Sequence, residues 1–342
     1  MNNLPKIEVL VANFHKYSAS LSPYAEKYLP LFFATMENIP IHYAYICPIC
    51  IEHGVITYTD EFVQRTGTVL TLDHFPPESV GGFETVLVCS TCNNNAGSGY
   101  EYALTEKVAE MAFNSSTLFA VAKAKTQISN LQGRYSSTIT VGNNGKLIIS
   151  FKPNPKANTK LLDEWLDSSG QNPDWTAEVT IPVADPKKVS KSLLKAAYLF
   201  CFESWGYEFV FSYTGQKIRS ILNGESEYPL ENPSFWIGEM VKNGQVESLH
   251  IGVCYLLKPE DWKLFIVNIV LRDEKTGYEN MVSVLIPGPD ESDWNSLTTV
   301  KRILNSGEDI TLTMDHVRED LLSYGITDGY TKNWNRLYVK EI

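Results

Sequence analysis

Cys47-Pro48-Ile49-Cys50, Leu72-Asp73-His74-Phe75-Pro76-Pro77 and Cys89-Ser90-Thr91-Cys92-Asn93-Asn94-Asn95-Ala96-Gly97 are the three stretches on which the reading of this sequence turns. Each C-x-x-C pair puts two thiols on one tight turn, and two such knuckles supply the four soft ligands that tetrahedral Zn²⁺ prefers. The 38 residues between the pairs exceed the spacing of a compact zinc ribbon, so the insert needs an occupant of its own. Cys201 and Cys254, the other two of six cysteines, sit in the apolar runs AYLFCFESW and HIGVCYLLK and read as small buried hydrophobes.

The occupant carries chemistry. A carboxylate (Asp73) and a carboxamide oxygen (Asn93) are hard ligands suited to Mg²⁺ or Mn²⁺. The neighbouring imidazole, His74, can take a proton from water near neutral pH. On a strand, adjacent side chains point to opposite faces, so Asp73 and His74 could serve the cation and the water separately. Asn94 and Asn95 compete with Asn93 as ligand, and all three lie where asparagine also favours a helix cap; position favours Asn93. His53 is read as a surface residue, because four thiolates already fill a tetrahedron. Asp315-His316, a second Asp-His pair, has no cysteine frame and is expected to start or ride a helix.

C-x-x-C, then D-H-x-x-P with a trailing Gly81-Gly82, then C-x-x-C-N-x-x-x-G resembles the four-cysteine branch of the HNH (ββα-metal) endonuclease superfamily. The resemblance covers residues 45–101, under a fifth of the chain. It implies two strands and a helix gripping one catalytic divalent ion, with zinc bound to Cys47, Cys50, Cys89 and Cys92 holding the scaffold from behind. It further implies Asp73 and Asn93 as metal ligands, His74 as general base, and products with 5′ phosphates. Two departures stand out. Thr85 occupies the slot where many members carry Asn or His, a position whose backbone carbonyl can serve with any side chain. Ala96 stands where some members place an acid, and Glu101, two turns past Asn93, is the available substitute ligand.

The remainder frames this module. Hydrophobic residues make up 44% of 342 and aromatics 12%, enough for packed cores and too apolar for a disordered chain. The expected class is α+β: residues 1–130 as a zinc-stapled ββα-metal module with a helical lead-in from Ser22 to Glu37, and residues 131–342 as a mixed α+β domain for targeting or regulation. A helix is expected from Tyr100 to about Lys125. A hairpin is expected with Asn144-Gly145 at its turn, and a buried helix over Lys187–Trp205, followed by a tight turn at Gly206 and a strand. No basic-then-apolar leader and no long apolar run is seen, so a cytoplasmic protein is expected.

The net charge of −11 argues against coating nucleic acid by bulk electrostatics. Residues 40–125 hold four basic residues against nine acidic ones, so affinity for a nucleic-acid substrate, DNA being the expected one, must come from elsewhere. That leaves the C-terminal domain, a partner protein, a homo-oligomer or the metal, with the basic stretches Lys152–Lys160 and Asp185–Lys195 as contact surfaces. Trp175, Trp236 and Trp294 could stack bases if exposed, but such residues more often pack. The competing reading is a zinc module that only binds nucleic acid or protein. The coincidence of Asp73, His74 and Asn93 speaks against it, since a scaffold needs only the cysteines.

Overall fold

A computed structural model describes residues 11–18, 20–21, 24, 44–52, 54–56, 70–129, 131, 134–151, 159–168, 176–230, 232–236, 251–259, 262–306 and 313–316. Most of the expected Ser22–Glu37 helix, together with His53 and Trp175, lies outside them. The fold is α+β, with antiparallel sheets throughout the described residues.

Short strands β1 (Ala44–Ile46) and β2 (Gly54–Ile56) flank the first cysteine knuckle. The β-branched run ending at Phe75 forms β3 (Leu70–Phe75), which pairs with β4 (Phe83–Cys89). Their register runs from Leu70↔Cys89 to Asp73↔Val86 and then slips, so that His74 is paired with Glu84. This bulge leaves Thr85 as the extra residue, a device that re-aims neighbouring side chains. The loop between the strands holds a single 3₁₀ turn at Glu78–Val80, closed by Gly81 in the left-handed region (φ 88°).

Helix α1 (Ser90–Ala96) starts directly from β4, with the Cys89 sulfur accepting from the Cys92 N–H at its first turn. A π turn (Gly97–Glu101) leads into α2 (Tyr102–Asn114). The helix expected to reach Lys125 therefore stops eleven residues short of it. Ser116 turns left-handed (φ 54°) and the Thr117 N–H bonds back to Ala112, the closing pattern of a helix C-terminus. Val121–Ile128 then forms β5, burying Ala122, Ala124, Thr126 and Ile128 in strict alternation. That period-two pattern outweighs the helical spacing that precedes it.

β5 joins β6 (Tyr135–Val141), β7 (Leu147–Phe151) and β8 (Ala177–Thr180) in a sheet ordered β7-β6-β5-β8, against which α3 (Thr159–Ser168) places Leu162. The β6–β7 hairpin turns at Asn144 (φ 62°) and Gly145 (φ 72°), both left-handed as that turn chemistry requires.

Helix α4 (Pro186–Trp205) is the central element. Asp185 caps it by accepting from the Lys187 and Lys188 N–H groups, and proline takes the first helical position. Gly206 (φ 62°) ends it with the expected tight turn. The chain then continues as helix and not as the expected strand: α5 (Tyr207–Phe211) and α6 (Tyr213–Leu222), the latter capped by Ser212. The aromatic run YEFVF suits a buried helix as well as a strand, and here Tyr207, Phe209 and Val210 are all fully enclosed.

The largest sheet orders β13 (Thr313–His316), β10 (Gly252–Lys258), β11 (Leu264–Asp273), β12 (Tyr278–Pro287) and β9 (Ser234–Trp236). Strand β11 is apolar on both faces. Phe265, Val267, Ile269 and Leu271 join the core around α4, whereas Leu264 and Ile266 face α7 (Glu291–Ser306) through Leu297 and Val300. Asp315 and His316 lie on β13 opposite Tyr255 and Cys254, so the second Asp-His pair sits in a strand and not on a helix. Cys201 and Cys254 are buried. The α4 core takes in Phe14 and Tyr17, Tyr45, Leu104 and Val108, and Val282 and Val284.

Candidate functional site

Cys47, Cys50, Cys89 and Cys92 form a cluster able to hold a metal such as zinc: their sulfur atoms all lie within 4.8 Å of one another. Cys50 Sγ and Cys89 Sγ are 3.8 Å apart, the separation expected of two sulfurs about 2.3 Å from one tetrahedral zinc. The first knuckle turns tightly, with the Ile51 N–H bonded to the Cys47 carbonyl at 3.0 Å, and forces Ile51 to φ 61°. For a β-branched residue that conformation costs about 1–3 kcal/mol, which metal–sulfur bonds would offset. Burial and the neighbouring thiols push Cys47 well above the ordinary cysteine range, while the hydrogen bond from Cys47 brings Cys89 down to about 6.

Three buried tyrosines fasten this cluster to the rest of the chain. Tyr198 donates to the Pro48 carbonyl at 2.6 Å, and Tyr45 donates to the Leu87 carbonyl at 2.7 Å. The Tyr207 hydroxyl accepts from the Ile46 N–H at 2.9 Å and donates to the Ile46 carbonyl.

Asp73, on β3, is 2% exposed, and Glu101, at the end of the π turn, is 9% exposed. Between them stands a group that sequence reasoning missed, Lys195 of α4, at 1% exposure. Its Nζ lies 2.5 Å from Asp73 Oδ2 and 2.7 Å from Glu101 Oε1. Both contacts are ion pairs, and the one to Glu101 is also a hydrogen bond. Burial raises the Glu101 carboxyl above its ordinary range, with Lys195 opposing the rise. Burial also works against the charge on Lys195, but Asp73 and Glu101 outweigh it and hold the ammonium above the usual lysine value. A signal for Lys195 existed: it is a lone cation inside the apolar run SLLKAAYLFCF.

His74 follows Asp73 across the bulge, is half-buried, and lies near enough to Glu101 to favour its ionised form. Asn93, on α1, donates from Nδ2 to Thr71 Oγ1 at 3.1 Å and, more weakly, to the Leu72 carbonyl at 3.5 Å. Its amide nitrogen is thus engaged with β3 one or two residues from Asp73, which leaves Oδ1 as the atom it could offer a cation. Asn94 and Asn95 are exposed.

The chemistry of these donors suits a hard divalent ion. Two carboxylates and a carboxamide oxygen are the ligand types such ions take, although Asp73 Oδ2 is already matched by the Lys195 ammonium. Glu101, but not Asp73, lines a cavity of about 450 Å³ together with Pro77, Ser79, Gly97, Tyr102 and Lys123. Beside it the first turns of α4 present a lysine stripe. Lys188 donates to the Tyr102 hydroxyl at 2.6 Å, and the Lys191 ammonium sits 5.0 Å from the centre of the Tyr100 ring. Part of the basic stretch Asp185–Lys195 therefore faces the module. Of Lys152–Lys160 only Lys160 is among the residues described as exposed, in a surface pair with Glu164 at 3.7 Å. Trp236 and Trp294 are half-buried, and Trp294 packs edge-on against Tyr228.

Among the described residues, no helix is long and apolar enough to cross a membrane. The chain matches no protein-family model, no curated protein and no solved structure.

Proposed function

We propose that this chain is a zinc-stabilised, divalent-metal-dependent endonuclease of the HNH type, hydrolysing phosphodiester bonds in nucleic acid, with DNA as the substrate. What supports the reading most is the convergence of Asp73 and Glu101, from β3 and the π turn, on the single buried ammonium of Lys195, with His74 and Asn93 on the elements beside them. Two carboxylates brought together out of water are costly unless a cation matches them.

In this reading Asp73 and Asn93, with Glu101 as a further ligand, would hold Mg²⁺ or Mn²⁺. Once bound, that ion supplies positive charge to the phosphate and the leaving oxygen. His74 accepts a proton from the attacking water, which becomes bonded to phosphorus as the bond to the 3′ oxygen breaks. Tyr102 walls the cavity, and the Lys188–Lys191 stripe supplies the positive surface that the acidic module lacks. A homo-oligomer or a partner protein would add to that affinity. A cytoplasmic setting, where thiols stay reduced, suits a four-cysteine zinc site.

A second reading, a zinc module that binds nucleic acid or protein without cleaving, is favoured by one observation: Lys195 already neutralises part of the carboxylate charge. Plasmid nicking with Mg²⁺ or Mn²⁺ separates the two. The endonuclease reading expects cleavage by the wild type and a loss of about 10²–10⁴-fold in His74→Ala. Equal cleavage by both proteins would remove His74 as the base. Absence of cleavage of any DNA or RNA would favour the binding module.

A further inference from the structure

We infer that Lys195 is a built-in counter-cation at the candidate metal ligands, holding Asp73 and Glu101 together and keeping their affinity for a divalent ion low. This rests on the reading of Asp73 and Glu101 as cation ligands given above.

Lys195 belongs to the apolar side of α4, among Leu193, Leu194, Ala196 and Ala197, and is fully enclosed. Burying a lysine there is unfavourable unless its charge is matched, and it is over-matched: one ammonium meets two carboxylates, at 2.5 and 2.7 Å. One unit of negative charge is left over on the pair, and Glu101 also lines the cavity that opens beside it. The cluster therefore still attracts a cation, but less strongly than two carboxylates alone would. An ion bonded to the same two oxygens would stand next to the ammonium, where like charges repel strongly in a poorly solvated site. Binding of the ion is then an exchange in which Nζ gives up at least one carboxylate.

The consequence reaches beyond the module. Lys195 shares α4 with Tyr198, which is bonded to the cysteine knuckle, and with Lys188 and Lys191, which face Tyr102 and Tyr100. A shift of the Lys195 side chain on metal binding would be felt by the helix that holds both the zinc cluster and the cationic stripe. Lys195 is thus a positioning residue, acting through Asp73 and Glu101.

The test is Mn²⁺ binding to the full-length, zinc-loaded chain, measured by calorimetry and by the electron paramagnetic resonance of free Mn²⁺, with no substrate present. Lys195→Met, which keeps the length of the side chain and removes its charge, is expected to bind Mn²⁺ at least tenfold more tightly than the wild type. Lys195→Arg, which keeps the charge, is expected to stay near the wild-type value. The double variant Lys195→Met with Glu101→Gln restores the original net charge of the cluster and is expected to lose the gain. Should the methionine variant fail to fold, Lys195→Gln, whose amide can still donate to a carboxylate, serves in its place. Mn²⁺ binding to Lys195→Met that is equal to or weaker than wild type would overturn the counter-cation role while leaving Asp73 and Glu101 as ligands. Lack of Mn²⁺ binding by wild type and by both neutral variants would overturn the ligand reading together with it.

Discussion

The Tyr198 hydroxyl donates to the Pro48 carbonyl at 2.6 Å, bonding helix α4 to the first cysteine knuckle across 150 residues of sequence. Both groups are buried, so no water replaces the bond when it is lost. Tyr198→Phe leaves an orphaned carbonyl and is expected to cost about 1–3 kcal/mol. The knuckle should also loosen. Thermal unfolding is expected to begin at a lower temperature, and a chromogenic chelator should extract zinc faster than from the wild type. An unchanged extraction rate would mean that α4 does not brace the metal site.

Cys89 does two jobs that one substitution can separate. It belongs to the four-sulfur cluster, and its side chain also caps α1 by accepting from the Cys92 N–H. Serine is among the best helix caps but a poor zinc ligand, so Cys89→Ser keeps the cap and removes the sulfur. Elemental analysis is expected to find one zinc per wild-type chain and none in Cys89→Ser. Because metal binding and folding are coupled, near-ultraviolet circular dichroism should collapse in the variant. A variant that stays folded without zinc would show that the core around α4 supports the hairpin by itself.

The four-cysteine cluster is legible in the sequence because its signal is local. Its two pairs fall in one short window, and the left-handed turn at Asn144-Gly145 and the stop at Gly206 are written in single residues. The features that escape such a reading are set by distant partners. Lys195 lies 94 residues from Glu101, and its role depends on α4 docking against the π turn. The run after Gly206 reads as a strand because aromatic and β-branched residues suit either state when every face is buried. The α2 helix reads too long because Leu118 and Val121 keep an apolar spacing after the chain has already turned at Ser116. In each case tertiary packing overrides a local preference.

Gly206 makes a backbone prediction sharp. At φ 62° and ψ −142° it occupies a region that side chains avoid, and an added Cβ would stand 2.4 Å from the Ser20 hydroxyl. That hydroxyl cannot swing away freely, since it donates to the Tyr17 carbonyl and accepts from the Tyr207 N–H. Gly206→Ala is expected to cost about 3 kcal/mol or more, combining backbone strain with the clash. Urea denaturation would read the loss as a lower midpoint. A midpoint within error of wild type would mean that the α4–α5 corner differs from the one described.

Glu203, on α4, supplies a pH signature away from the metal sites. Burial raises its carboxyl above the ordinary range, and Lys16 only partly opposes the rise; its charge also weighs on the buried Tyr17 hydroxyl. A carboxyl whose folded value exceeds its unfolded one makes the native state bind protons more readily, so stability falls as pH rises from the unfolded value through the folded one. Glu203→Gln removes that penalty. The variant is expected to melt above the wild type at about pH 7 and to match it near pH 4, where the wild-type carboxyl is already protonated. A constant offset at both pH values would point to a packing change and not to charge.

Asn93 can be tested so that a structural role and a ligand role give different answers. Its Nδ2 bonds to Thr71 Oγ1 and reaches the Leu72 carbonyl, contacts that dock α1 on β3. Thr71→Val removes the hydroxyl acceptor but leaves the carboxamide in place, whereas Asn93→Ala removes the carboxamide altogether. If docking were its whole function, the two variants would lose stability and activity alike, each by roughly the 1 kcal/mol of a hydrogen bond. If Oδ1 also serves the cation, Asn93→Ala should lose Mg²⁺-dependent plasmid nicking about 100-fold or more, while Thr71→Val keeps most of it at a similar melting temperature. Raising the Mg²⁺ concentration should then recover part of the activity of Asn93→Ala, because a weakened ligand set is refilled by mass action. Equal loss in both variants, with no recovery at high Mg²⁺, would assign Asn93 to the scaffold.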